Sequence, residues 1–148
     1  MNISVWNLRG LNIPHKHPEI RSFLSVKSIS LLALLETRVK FNKSITIRNS
    51  CCAGWRMVHN YSEASNGRIW VLWHPNYCSV EVLNLSDQFI HCKVTSNDGS
   101  LNCHITFIYG WNSGSQRLQL WKDLVDISKH MYGPWLCSGD FNAILKEF

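Results

Sequence analysis

An α/β fold is what this sequence predicts, on three observations. Short apolar runs of strand length alternate with segments of helical spacing. Turn signals at Asn66-Gly67 and Asp98-Gly99 join several of the runs into hairpins. Four of the runs end in polar residues: Asn7, Glu36, Tyr109, and Asp140 with Asn142. With 148 residues, 45% of them hydrophobic and 17% charged, the chain can bury the core of one domain and is not expected to be disordered.

Taken in order, Asn2 to Asn7 alternates and stops at Arg9-Gly10, a strand that delivers Asn7 at its C-terminal end. Pro18 suits the first turn of a helix, and Ile20, Phe23, Leu24 and Lys27 follow on one stripe that ends near Ser28. Ile29 to Leu35 is apolar throughout and short, so it reads as a fully buried strand terminating at Glu36-Thr37-Arg38. Phe41 to Arg48 fits helix and irregular structure equally. Trp55 to His59 and Arg68 to Trp73 predict a hairpin, and Tyr77 to Leu85 and Phe89 to Thr95 predict two further strands.

The Asp98-Gly99 turn fixes a register: Val94 opposite Cys103, Cys92 opposite Ile105, Ile90 opposite Phe107. One face is then wholly apolar, and the other carries His91, Lys93, Asn102, His104 and Thr106. This register disposes of a zinc reading of His91-Cys92 with Cys103-His104, because adjacent strand residues point to opposite faces and cannot converge on one metal. From Ser113 the spacing becomes helical, with Leu118, Trp121, Leu124, Val125 and Ser128 on one stripe, until Gly133-Pro134. Trp135 to Gly139 is a last strand, and alternation puts Asp140 and Asn142 on one side of it and Phe141 on the other.

The six cysteines show no C-x-x-C spacing and read as reduced, mostly buried thiols of an intracellular protein. No apolar run approaches the roughly 18 residues a spanning helix requires. Fifteen Lys+Arg against ten Asp+Glu give a net charge of +5, which favours polyanionic partners but is spread along the chain without a dense basic run. A basic solvated surface accounts for it as well as a nucleic-acid footprint does.

Sites in α/β sheets collect where strand C-terminal ends lie side by side. Each of the four polar strand ends alone is explained as a turn residue, since Asn and Asp favour turns through local hydrogen bonds. Together, carboxylates and amides suit a hard divalent cation such as Mg²⁺, which takes oxygen ligands and neutralises phosphate charge. That combination points to phosphoester hydrolysis, with a structural cation as the alternative.

Five stretches, in order, resemble successive motifs of the endonuclease/exonuclease/phosphatase superfamily. They are Trp6 to Asn12 (WNLRGLN), Leu34 to Val39 (LLETRV), Asn66 to Trp73 (NGRIWVLW), Phe107 to Gly110 (FIYG) and Gly139 to Asn142 (GDFN). The likeness is greatest to the endonuclease domain of plant-type non-LTR retrotransposons. It implies a four-layer α/β sandwich and a Mg²⁺-dependent hydrolase site, with Mn²⁺ able to substitute and no organic cofactor. On this resemblance Glu36 is the principal metal ligand, and Asn7 supports both the metal and the phosphate. Tyr109 contacts the scissile phosphate, Asp140 orients the attacking water, and Asn142 holds the phosphate. Asn112 would lie near the nucleic-acid backbone, while Gly67 to Trp73 is core rather than chemistry.

The family's later Ser-Asp-His motif has no counterpart among the seven histidines, all of which precede Asp140. Residues 1–148 are therefore expected to be a partial domain, truncated after about its first two-thirds by that resemblance, lacking much of the second sheet and exposing an apolar sheet face. The expected function is that of an N-terminal fragment of a retroelement endonuclease that ancestrally nicks DNA, inactive as this chain. The alternatives are a non-catalytic nucleic-acid- or cation-binding remnant and a phosphatase of small phosphate esters. DNA is the partner the resemblance implies and the nucleus a compartment it allows; it sets no oligomeric state.

Overall fold

The computed structural model describes residues 1–144. Eight strands and three helices form in the order β1 (Asn2–Asn7), α1 (Lys16–Val26), β2 (Ile29–Leu35), α2 (Phe41–Cys52), β3 (Arg56–His59), β4 (Ile69–Trp73), β5 (Cys78–Leu85), β6 (Phe89–Ser96), β7 (Asn102–Tyr109), α3 (Gly114–Lys129) and β8 (Trp135–Asp140). They make two four-stranded sheets, ordered β1-β2-β4-β3 and β5-β6-β7-β8.

Period-two alternation explains the layering. Leu31, Ala33 and Leu35 of β2 and Ile69, Val71 and Trp73 of β4 face Ile90, Cys92 and Val94 of β6 and Ile105 and Phe107 of β7, forming the core between the sheets. The alternate residues Leu32, Leu34, Trp70 and Leu72 turn outward and are buried with Ile20 of α1 and Cys51 and Cys52 of α2. Both faces of β2 are covered, which is why its sequence is apolar without a break. On the far side Phe89 and Ile108 pack against Leu120 and Ile127 of α3. The result is a four-layer α/β sandwich. Each fully buried leucine or isoleucine contributes about 1.5–3 kcal/mol to holding it.

The register read from the Asp98-Gly99 turn is the one observed: Val94 pairs with Cys103, Cys92 with Ile105 and Ile90 with Phe107. Cys92 lies in the inter-sheet core, whereas His91 faces α3, stacks on His104 at 5.7 Å and bonds Thr106 Oγ1 at 2.8 Å. The hairpin of β3 with β4 also forms, with Arg56 opposite Trp73 and His59 opposite Trp70. All six cysteines are free thiols, four of them buried. No helix among the described residues is long and apolar enough to cross a membrane.

One open reading is decided and two expectations need correction. Phe41 to Arg48 is helical and continues to Cys52, although it has no side-chain cap and buries only Ser44, Cys51 and Cys52. In α3 the buried stripe is Leu120, Leu124 and Ile127, and Leu118, Trp121 and Val125 are exposed. Both sets obey helical spacing, and the sheet selects the one that meets Phe89 and Ile108. Nor is an inner sheet face left open: β5 to β8 form a four-stranded second sheet whose inner face is covered by β2 and β4. Exposed apolar side chains are spread over the surface, with Val26, Phe41, Ile45, Tyr77 and Leu83 among them as well as Leu118 and Val125 of α3 and Leu136 of β8; beside the last, Phe141 stacks on Trp121 at 6.0 Å.

Candidate active site

The topology brings the four polar strand ends together. β1 runs parallel to β2, pairing Asn7 with Leu35, and β7 runs parallel to β8, pairing Tyr109 with Asp140. The two pairs meet across the sandwich, where Asn7 Nδ2 donates to Asp140 Oδ2 at 3.0 Å. Each sheet thus contributes two strand ends to one cluster.

Glu36 is gripped from both sides. The loop after β1 closes on the loop after β2 through Gly10 N–H to the Glu36 carbonyl at 2.7 Å and Leu11 N–H to the Thr37 carbonyl at 2.8 Å. From the other flank Glu36 N–H donates to the Arg68 carbonyl at 2.7 Å, and Arg38 N–H and Thr37 Oγ1 donate to the Gly67 carbonyl at 3.0 and 2.7 Å. Four non-glycine residues here hold positive φ: Arg9 at 52°, Glu36 at 55°, Arg38 at 55° and Asn142 at 48°. Each such conformation costs on the order of 1 kcal/mol, and the surrounding bonds hold it against that cost.

The Glu36 side chain is 15% exposed and ion-pairs with the largely exposed Arg38. Burial raises its pKa, but hydrogen bonds from Arg38, Tyr109 and Asn7 outweigh burial and hold the carboxyl below its usual value. It is therefore a carboxylate at neutral pH, and its bonds to these partners weaken only as the pH falls through that depressed pKa. Burial and the negative charge and hydrogen bond of Glu36 push the Tyr109 hydroxyl upward, so it stays protonated and can donate.

Asp140 accepts from Asn7 on one oxygen and from the Asn142 backbone N–H, at 2.9 Å, on the other. Strand alternation does not extend to Asn142, because β8 stops at Asp140 and Asn142 is left-handed. Its side chain instead donates to the Gly110 carbonyl at 2.7 Å, tying the ends of β7 and β8 together. Asn112 is exposed, and only its carbonyl is engaged, by Arg117 Nη1 at 2.6 Å; no hydrogen bond joins its side chain to the cluster among the described residues.

Two residues that sequence reasoning leaves out of the chemistry belong to this cluster. Arg68, placed with the core stretch Gly67 to Trp73, is half-buried with its guanidinium 4.1 Å from the Tyr109 ring centroid and 3.8 Å from that of Trp111. Its Nη2 donates to the Tyr109 carbonyl at 2.6 Å and its Nε to the Asp87 carbonyl at 2.8 Å. A cation opening an otherwise apolar strand, and a tryptophan two residues after the tyrosine, are the sequence signals that could have found them. Beside the cluster, Arg38, Lys40 and Lys43 form the basic wall of a groove that Asn12, His17, Asn42, Pro14 and Ile47 complete.

The donors fit a hard cation. Glu36, Asn7 and Asp140 offer only oxygen, and Mg²⁺ takes one or two carboxylates while keeping waters and substrate phosphate as its other ligands. No group of three His, Cys, Asp or Glu suited to hold a metal occurs among the described residues. The set therefore suits a partly hydrated, phosphate-sharing ion rather than a closed cage. Arg38 engages the Glu36 carboxylate where such an ion would sit.

No family model and no characterised protein matches the sequence. Solved structures match its fold over nearly all of its length. The endonuclease domain of TRAS1, a telomere-specific non-LTR retrotransposon, superposes with a TM-score of 0.73 at 10% identity, covering 95% of this chain and 59% of that one. An endonuclease/exonuclease/phosphatase family protein from Bacteroides thetaiotaomicron gives 0.70 at 9%, covering 95% and 62%. D. rerio TDP2, complexed with a single-strand DNA product, gives 0.69 at 11%, covering 96% and 60%. The chain spans about 60% of the length of these structures. At such identities the likeness is one of fold, and the chain carries the fold of the endonuclease/exonuclease/phosphatase superfamily.

Proposed function

We propose that this chain is the metal- and phosphate-holding portion of a nucleic-acid phosphodiesterase, ancestrally an endonuclease nicking DNA, and that by itself it binds nucleic acid without appreciable cleavage. The observation that carries this reading is the Asn7–Asp140 hydrogen bond across the two sheets, beside a Glu36 carboxylate that is ion-paired with Arg38. One end of the sandwich thereby gathers an acceptor for a water proton, donors for phosphate oxygens and a carboxylate for a cation. The basic groove next to it suits a phosphate backbone.

Mg²⁺ held by Glu36, with Asn7 beside it, would supply charge neutralisation at a phosphoryl oxygen. The chain's own groups do the rest. Asp140, its two oxygens fixed by Asn7 and by the Asn142 N–H, keeps lone pairs free to orient and deprotonate a water. The protonated Tyr109 hydroxyl donates to phosphate oxygen, and the Arg68 guanidinium behind its ring adds positive potential.

No histidine among the described residues hydrogen-bonds to this cluster. His91, His104 and His130 line a pocket beside α3, His59 packs on Phe41 and Tyr61, His74 on Trp55 and Tyr77, His17 bonds Leu11 and Ser50, and His15 precedes α1 without a side-chain capping bond. On this reading a histidine acting as a second acid–base group, worth about 10²–10⁴ in rate, is not among the groups this cluster gathers from the described residues, and cleavage is correspondingly slow.

The expected result is salt-dependent binding of a single-stranded oligonucleotide, with a log–log slope of about −2 if Arg38, Lys40 and Lys43 each meet a phosphate. Supercoiled plasmid incubated with Mg²⁺ should remain unnicked. Binding indifferent to salt would remove the phosphate-groove reading. Nicking that disappears in Glu36→Ala would show that the histidine is dispensable. Hydrolysis of small phosphate esters without any oligonucleotide binding would favour the phosphatase alternative.

A further inference from the structure

We propose that Trp111 is a stacking platform for an unpaired nucleobase next to the phosphate held at Tyr109 and Asp140, so that this site selects single-stranded or locally opened nucleic acid. The inference rests on the nucleic-acid reading of the site and adds to it the residue that would discriminate a polynucleotide from a small phosphate ester.

Trp111 is held firmly for a partly buried side chain on a loop. Its backbone N–H donates to Gln88 Oε1 at 2.9 Å, its carbonyl accepts from Arg117 Nη1 at 2.7 Å, and its indole Nε1 donates to Asp87 Oδ2 at 2.7 Å. Gln88, itself buried, is fixed in turn by donating to the Gln116 carbonyl at 3.0 Å. The Arg68 guanidinium lies against one face of the ring, 3.8 Å from its centroid.

A tryptophan whose only task was to shield Arg68 would gain most by being buried. Trp111 is only partly buried and belongs to none of the three core clusters of the described residues. A residue fixed at two backbone atoms and one ring nitrogen, and backed by a cation, loses little freedom when a second flat group stacks on its ring. The aromatic faces of nucleobases are such groups, and stacking on them is tolerant of sequence. Trp111 follows Tyr109 by two residues and shares the same guanidinium, which puts the ring beside the phosphate position rather than on it. A base within a duplex has both faces occupied by its neighbours, so the ligand is an unstacked base.

The test is fluorescence anisotropy of a labelled single-stranded oligonucleotide of about eight nucleotides, within the usual site size for such grooves, titrated with the full chain. Trp111→Leu is expected to weaken binding about tenfold, in the range of stacking on a single base, and Trp111→Phe to retain most of the affinity. An abasic substitution walked along the oligonucleotide should find one position that costs the wild-type protein a similar factor, and there Trp111→Leu should cost nothing further. Equal binding of the intact oligonucleotide by wild type and Trp111→Leu, with salt-dependent affinity kept, would overturn the platform and leave the phosphate-binding reading standing. The wild-type abasic scan decides the matter even if Trp111→Leu fails to fold, because a scan with no sensitive position also overturns it. Absence of any binding by wild type at low salt would sink the nucleic-acid reading itself, and the platform with it.

Discussion

Gly139→Ala is expected to destabilise the chain by at least about 3 kcal/mol, enough to unfold a marginal domain. Gly139 pairs with Ile108 in the parallel ladder of β7 and β8 and holds φ at 148°, a region closed to residues with a Cβ. A Cβ there would overlap the Ile108 carbonyl oxygen and lie 2.8 Å from both its carbonyl carbon and its amide nitrogen. Backbone on both sides cannot give way, so β8 would have to leave β7. Asp140, one residue on, would go with it and lose Asn7. Urea denaturation followed by circular dichroism measures the effect. Gly133→Ala is the control: φ is also positive, at 85°, but nothing lies within 4 Å, so it should cost only about 1 kcal/mol. Equal stability of the two variants would contradict the close packing of β8 on β7.

Glu36→Gln should weaken Mn²⁺ binding, followed as loss of the free-ion electron paramagnetic resonance signal, by at least about 100-fold. Loss of a mere supporting contact costs 10–100-fold, and Glu36 is proposed as the anionic ligand itself. The neutral amide keeps the shape of the side chain and the backbone bonds to Gly10 and Arg68, so the fold should survive. Unchanged Mn²⁺ affinity in a folded Glu36→Gln protein would move the cation away from this end of the sandwich.

Much of this architecture is legible in the residues, for identifiable reasons. β2 is apolar on every position because both of its faces are covered, and the hairpin register of β6 and β7 follows from one turn signal and one apolar face. Helix α2 is not legible because its apolar residues form no stripe: Phe41 and Ile45 are exposed, while a serine and two cysteines are buried. The buried face of α3 is misread because two apolar stripes run along it, and only Phe89 and Ile108 decide between them.

At the site, the strand-end logic finds Asn7, Glu36, Tyr109 and Asp140, because parallel pairing must align such ends once β1 lies on β2 and β7 on β8. It is silent about Arg68 and Trp111, whose roles come from a contact between residues 43 positions apart in sequence, at the start of β4 and in the loop before α3. Asn142 is placed correctly beside Asp140 for the wrong reason, since a left-handed turn rather than strand alternation brings it there.

The central claim is that strand ends from both sheets form one cation- and phosphate-binding centre. Substoichiometric Mn²⁺ added to ¹⁵N-labelled protein tests it most directly, by the amide signals that the ion broadens. The account predicts that the strongest broadening appears together at residues 7–9, 36–38, 109–111 and 140–142, and that it vanishes in Glu36→Gln. Broadening confined to one sheet, or centred on His91, His104, Asp126 and His130 beside α3, would contradict it.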